Sequence, residues 1–159
     1  MIQSAASPRS KPGTSGNAAI AGLLADLRSA HENLIAAMNG MERLTRGPLS
    51  ERDSYTTARW RISRASLKRR SHWAKIYQHL IAGVGADDAA ALNNLQAADM
   101  RMLRRSAAHV CTWSRDAIDR DWLGYCKASR VIRLQMKTCM DAEKHVLFPM
   151  LERLASDRD

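Results

Sequence analysis

The sequence predicts an all-α protein folded as an antiparallel, up-down-up-down four-helix bundle. Three observations predict it. Alanine, arginine and leucine are the most frequent residues, methionine occurs 8 times beside them, and all four are good helix formers. Proline and glycine are scarce, at 4 and 8 of 159 residues, and they fall in clusters, so long helices can run between them. Apolar residues recur at helical spacing along four long segments joined by short breaks. A chain of this length fits one domain, and its 45% apolar content suits a globular protein.

Residues 1–16, rich in Ser, Pro, Gly and basic side chains, read as a flexible tail before a bundle spanning 17–159. The first helix is expected from about Asn17 to Arg46, where Gly47-Pro48 breaks the pattern. Ser50 is the expected N-cap of the second, with Glu51 and Asp53 complementing the dipole in its first turn. That helix is expected to end near Gly83-Val84-Gly85. Asp87 is the expected cap of the third, which continues through Trp113 to about Ile118. The fourth runs from Asp121-Trp122 to about Ala155, with Gly124 weakening its first turn. No repeat of about 20–50 residues is present, which argues against a solenoid.

On a helical wheel each segment carries an apolar stripe with one ionisable residue near its middle. Leu24, Leu27, Leu34, Ile35 and Met38 flank His31; Ile62, Ala65, Trp73, Ile76 and Leu80 flank Arg69. Leu92, Leu95, Met102, Leu103, Val110 and Trp113 surround Asp99, and Met136, Cys139, Val146, Leu147, Met150 and Leu154 surround Glu143. Counted from the turns, His31 and Arg69 lie about 15 and about 18 residues from the first break. Arg69 and Asp99 lie about 14 and about 12 from the second, and Asp99 and Glu143 each about 20 from the third. In an antiparallel bundle those distances bring all four to one layer. A buried charge without a partner costs several kcal/mol, so the four are expected to contact one another, a water or a ligand. The plainer alternative places some of them at the bundle edge, with Arg69 snorkelling to water on its long stem.

The formal charge is +9, and residues 54–86 hold no acid while carrying Arg59, Arg61, Arg64, Lys68, Arg69, Arg70 and Lys75. Arg61, Arg64, Lys68 and Lys75 share one stripe, a candidate face for an anionic partner: an acidic protein, nucleic acid or a lipid head-group. A solvated helix face is the simpler reading and is preferred. His72, His79, His109 and His145 read as surface or boundary residues, and the four tryptophans as plugs of core layers. The three cysteines are odd in number and form no CxxC, which fits a reducing compartment. With no apolar leader at the N-terminus and no run of about 18 apolar residues, a cytoplasmic protein without a membrane span is expected. No Gly-rich phosphate loop, GxSxG or HExxH is present, and nothing pairs a nucleophile with an oriented base. No catalytic residue is assigned, and an enzyme is not expected.

The segment Cys139-Met-Asp-Ala-Glu143-Lys-His-Val-Leu-Phe-Pro149-Met-Leu resembles the fourth-helix signature of the hemerythrin-like (HHE cation-binding) family, usually His-x-x-x-Glu-Glu-x-x-Leu-Phe-Pro. Leu-Arg-Ser-Ala-His31-Glu-Asn-Leu is similar to that family's first ligand region, and the likeness spans roughly residues 20–154. It implies a bundle in which His and carboxylate side chains hold two irons that bind oxygen or sense redox state. His31 and Glu143 match ligand positions, Cys139 stands where a histidine is usual, and Asp99 falls near the third-helix histidine. The second-helix His-x-x-x-Glu is missing: the registers give Lys68/His72 or Arg69/Trp73. Two readings follow. In the first, Arg69 replaces the metal charge between Asp99 and Glu143, and the chain is a non-catalytic binding or sensing module without a cofactor. In the second, His31, Asp99, Cys139 and Glu143 form a rebuilt site for iron or zinc, with oxygen or redox sensing as its use.

Overall fold

The computed structural model describes residues 14–49 and 52–156, and within them the chain is all-helical. Four long helices, α1 (Thr14–Thr45), α2 (Arg52–Leu80), α3 (Ala86–Thr112) and α5 (Trp122–Ser156), are accompanied by one short helix, α4 (Arg115–Arg120). Helix α1 packs against α2 and α5, α3 packs against α5, and α2 and α3 meet only sparsely.

The breaks follow local chemistry. After Thr45, the Gly47 N–H donates to the Leu44 carbonyl at 3.3 Å, and Gly83 closes the end of α2 in the same way on Leu80 at 2.9 Å. The expected capping residues Ser50 and Glu51 lie outside the described residues, as does the Asp53 side chain. Helix α3 is not capped by Asp87. Gly85 is its N-cap, without a side-chain hydrogen bond, and Asp87 and Asp88 sit in its first turn, where negative charge complements the dipole. The expected continuation of α3 to Ile118 also fails. Ser114 leaves helical geometry, accepts the Ala117 N–H at 3.2 Å, and starts α4 afresh. At the head of α5 the Asp121 carboxylate accepts the Gly124 N–H at 2.8 Å. A Cβ on Gly124 would stand 2.0 Å from that carboxylate, so this glycine makes room for the cap rather than merely weakening the turn.

Buried side chains collect in three clusters along the helices. The first joins Leu24 and Leu27 of α1, Trp73 and Ile76 of α2, Leu92 and Leu95 of α3 and Leu147 and Met150 of α5. The second holds Leu34, Met38, Met102, Met136 and Met140, a packing rich in deformable methionine. The third gathers Met41, Tyr55, Ala58, Ile118 and Tyr125. Along α1 the order is first, second, third; along α2 and α5 it is reversed; along α3 it runs from first to second. His31, Asp99 and Glu143 each fall between a residue of the first cluster and one of the second, and Arg69 lies one turn before Trp73. The boundary between two apolar clusters is therefore a polar layer.

The apolar stripes are covered unevenly. On α3, Leu103 and Val110 belong to the expected core, yet Val110 is 51% exposed, and on α5 Val146 is exposed as well. Trp73 is fully buried, whereas Trp60, also expected to plug a layer, is 58% exposed. No helix of the described residues is long and apolar enough to cross a membrane.

A buried ion network as the candidate functional site

The four ionisable residues meet. Arg69 is 3% exposed, and His31, Asp99 and Glu143 are equally enclosed. One guanidinium nitrogen of Arg69 donates to Glu143 Oε1, and the other donates to Asp99 Oδ1 at 2.5 Å. His31 Nε2 donates to Glu143 Oε2 at 2.6 Å, so Glu143 accepts on both oxygens, from α1 and from α2. The His31 ring packs on Phe148 of the Leu-Phe-Pro segment, centroids 5.3 Å apart. His31 Nδ1 is buried with no hydrogen-bond partner among the described residues.

Arginine suits this place because its planar fork can reach two carboxylates at once while carrying a fixed charge. Burial alone would draw the Arg69 guanidinium down, but Glu143 and Asp99 outweigh it by charge and by hydrogen bonding, and its pKa lies above the usual arginine value. A fifth member was not foreseen. Arg70, at the margin of the layer, places Nε 3.3 Å from Asp99 Oδ2 as a second cation. The signal was its position in the acid-free run, but a neighbour in sequence points about 100° away on a helix, and only its long stem brings it back.

The residues present do not fit the two irons that the family resemblance implies. A guanidinium already engages both carboxylates, and a cation at that distance repels a metal ion. Cys139 is half-buried beside the second cluster. Burial pushes its thiol pKa up, with Glu143 and Asp99 adding to that and Arg69 opposing them. Among the described residues no three His, Cys, Asp or Glu side chains are arranged to hold a metal ion, the set His31, Asp99, Cys139 and Glu143 included.

The basic stripe is exposed as expected, and part of it forms a surface. Arg61, Arg64 and Lys68 line a groove between α1 and α2 together with Arg43 and the exposed Trp60, with no acid among the described residues of its lining, while Lys75 lies outside it. The Arg64 guanidinium lies over the Trp60 ring, 5.1 Å from its centroid.

A second basic constellation escaped the sequence reading. Arg133 of α5 is 6% exposed, donating to Ser129 Oγ at 2.6 Å and to Thr45 Oγ1 at 3.3 Å. Near it, Arg59 and His109 both stack on Tyr125, at 5.9 Å from its centroid in each case. Ser129, Arg133, Met136 and Met140 share one face of α5, so helical spacing could have revealed this arginine. Burial, followed by Arg59 and Arg133, lowers the His109 pKa below its ordinary 6.5. The native state thus takes up a proton on His109 less readily than the unfolded chain. Its contribution to stability is complete above about pH 6.5 and is lost as pH falls from there through the depressed folded value. Thermal melts between pH 7 and pH 5 should show a decline in Tm that is shallower in His109→Gln; an identical slope in that variant would remove His109 from the account.

Compared with known proteins, the chain matches no family model, no curated protein and no solved structure.

Proposed function

We propose that this chain is a hemerythrin-like, up-down-up-down four-helix bundle whose metal centre has been replaced by an internal ion network, and that it works as a non-catalytic binding or sensing module in the cytoplasm. The observation that carries this reading is the Arg69 guanidinium held between Asp99 and Glu143 at the boundary of two core clusters. The alternating order of the clusters along α1, α2, α3 and α5 supports the up-down topology. With Arg70 counted beside Arg69, two guanidiniums match the two carboxylates and leave no charge over for a cation, and the network links α1, α2, α3 and α5 through one carboxylate pair. Binding is then the work of the surface, where the groove of Arg43, Arg61, Arg64 and Lys68 offers fixed positive charge to an acidic protein or a small anion.

The test is elemental analysis of tag-free protein produced with added iron and zinc, with a visible absorption spectrum of the same sample. The expected result is no stoichiometric metal and no band. Two irons per chain with an oxo-bridge band would overturn the reading. One metal per chain, lost in Glu143→Ala, would select the rebuilt His31, Asp99, Cys139 and Glu143 site instead.

A further inference from the structure

Arg69 and Arg133 are both buried arginines, and their surroundings differ in kind. Arg69 has two carboxylates. Arg133 has only the hydroxyls of Ser129 and Thr45, and among the described residues it makes no ion pair. The acid that acts on it from nearby, Glu42, is already bonded to Arg46 at 2.6 Å. Two of the five guanidinium donors face hydroxyls, and three are left over. Burial pulls the Arg133 pKa down, where that of Arg69 is raised.

Arg133 lines a groove of about 480 Å³ along the seam where α2 and α3 scarcely touch. Much of its wall is apolar, from Ile62 and Leu67 of α2, Leu103 and Val110 of α3 and Met136 of α5, with serines and Arg70 between them. Leu67, at 70% exposed, and Val110 stand open to solvent there, which is costly for large aliphatic side chains that could lie against something. One part of the groove is polar, where Arg59, His109 and Ser129 gather with Arg133 around Tyr125. No aspartate or glutamate among the described residues lines it. An enclosed cation without a counter-ion, next to an apolar trough, is complementary to an anion carrying an apolar body.

We infer that this groove binds an amphipathic carboxylate, its head group on Arg133 beside Arg59 and His109 and its chain along Ile62, Leu103 and Met136. The groove adjoins the central layer at Arg70, which also faces Asp99, but the inference rests on Arg133 and does not depend on the reading of that layer. The methionine-rich second cluster beneath the groove lets the trough adapt to the length of the chain.

Decanoate, decanol and vesicles of an anionic phospholipid free of fatty acid are the probes, titrated calorimetrically into the full chain below the micellar range. Saturable one-to-one binding of decanoate is expected, with decanol at least about tenfold weaker, because the alcohol leaves the charge of Arg133 unanswered. Arg133→Met should bind decanoate at least about tenfold more weakly while keeping a cooperative melt. Arg59→Gln, at the rim, serves as a second variant should Arg133→Met fail to fold, and is expected to weaken decanoate severalfold. Equal affinity for decanoate and decanol, or undiminished binding in both variants, would overturn the proposal. So would saturable binding of the vesicles in place of decanoate, which would make the groove a membrane contact.

Discussion

Replacing Glu143 by alanine is expected to cost about 3–5 kcal/mol of folding stability, the usual consequence of removing one partner from a buried ion pair. In a chain of this size that lowers Tm by roughly 6–20 °C. The cost is large because Glu143 satisfies two neighbours at once. Arg69 loses one of its two carboxylates, and His31 loses the acceptor of Nε2 while its Nδ1 already lacks a partner. Replacing the four buried members with apolar residues of similar size (His31→Leu, Arg69→Met, Asp99→Leu and Glu143→Leu together) should recover most of the loss, since their desolvation then vanishes with their attraction and the marginal Arg70 can turn to water. Urea denaturation of the two variants beside the parent decides it. A Glu143→Ala protein melting within about 2 °C of the parent would mean that the guanidinium is not held by this carboxylate.

The layer was legible because two independent regularities agreed. Wheel phase put one ionisable residue on each apolar stripe, and counting from the turns put the four at one height. What was not legible has particular causes. Arg70 reaches Asp99 from the side of its helix, a matter of stem length rather than phase. Ser114 ends α3 by trading the helical ladder for a cap, and an apolar pattern that continues to Ile118 does not register that competition. The stripe of α3 reads as core throughout, yet Leu103 and Val110 are uncovered because α2 does not close on α3 there. Periodicity says which face a helix would bury, and only the tertiary arrangement says whether a partner arrives. Trp60 illustrates the same point from the other side: its ring lies under Arg64 at the surface, an amphipathic position that size and hydropathy do not distinguish from a core plug.

Trp73→Ala is expected to be comparably damaging, at about 3–5 kcal/mol, through packing rather than charge. Trp73 is fully buried in the first cluster, one helical turn from Arg69, with Leu92 and Leu95 of α3 and Leu147 of α5 in the same cluster. Its indole N–H donates to Gln96 at 2.8 Å across the α2–α3 seam, beside the Tyr77 hydroxyl donating to Asn93 at 2.7 Å. These two bonds tie α2 to α3 on the side of the ion layer away from the open groove. Alanine would remove both the volume and the tie, and would let water approach a layer whose charges are matched for a dry interior. Trp73→Phe separates the two contributions: it keeps most of the volume and should lose about 1 kcal/mol for the missing hydrogen bond. Because Trp73 and Glu143 flank the same layer, the double variant Trp73→Ala/Glu143→Ala should lose less than the two single losses added together, water having already relieved the stranded guanidinium. Strict additivity in a denaturant-unfolding cycle would show that the packing of the first cluster and the ion network above it are independent, and that the tryptophan does nothing to keep the layer dry.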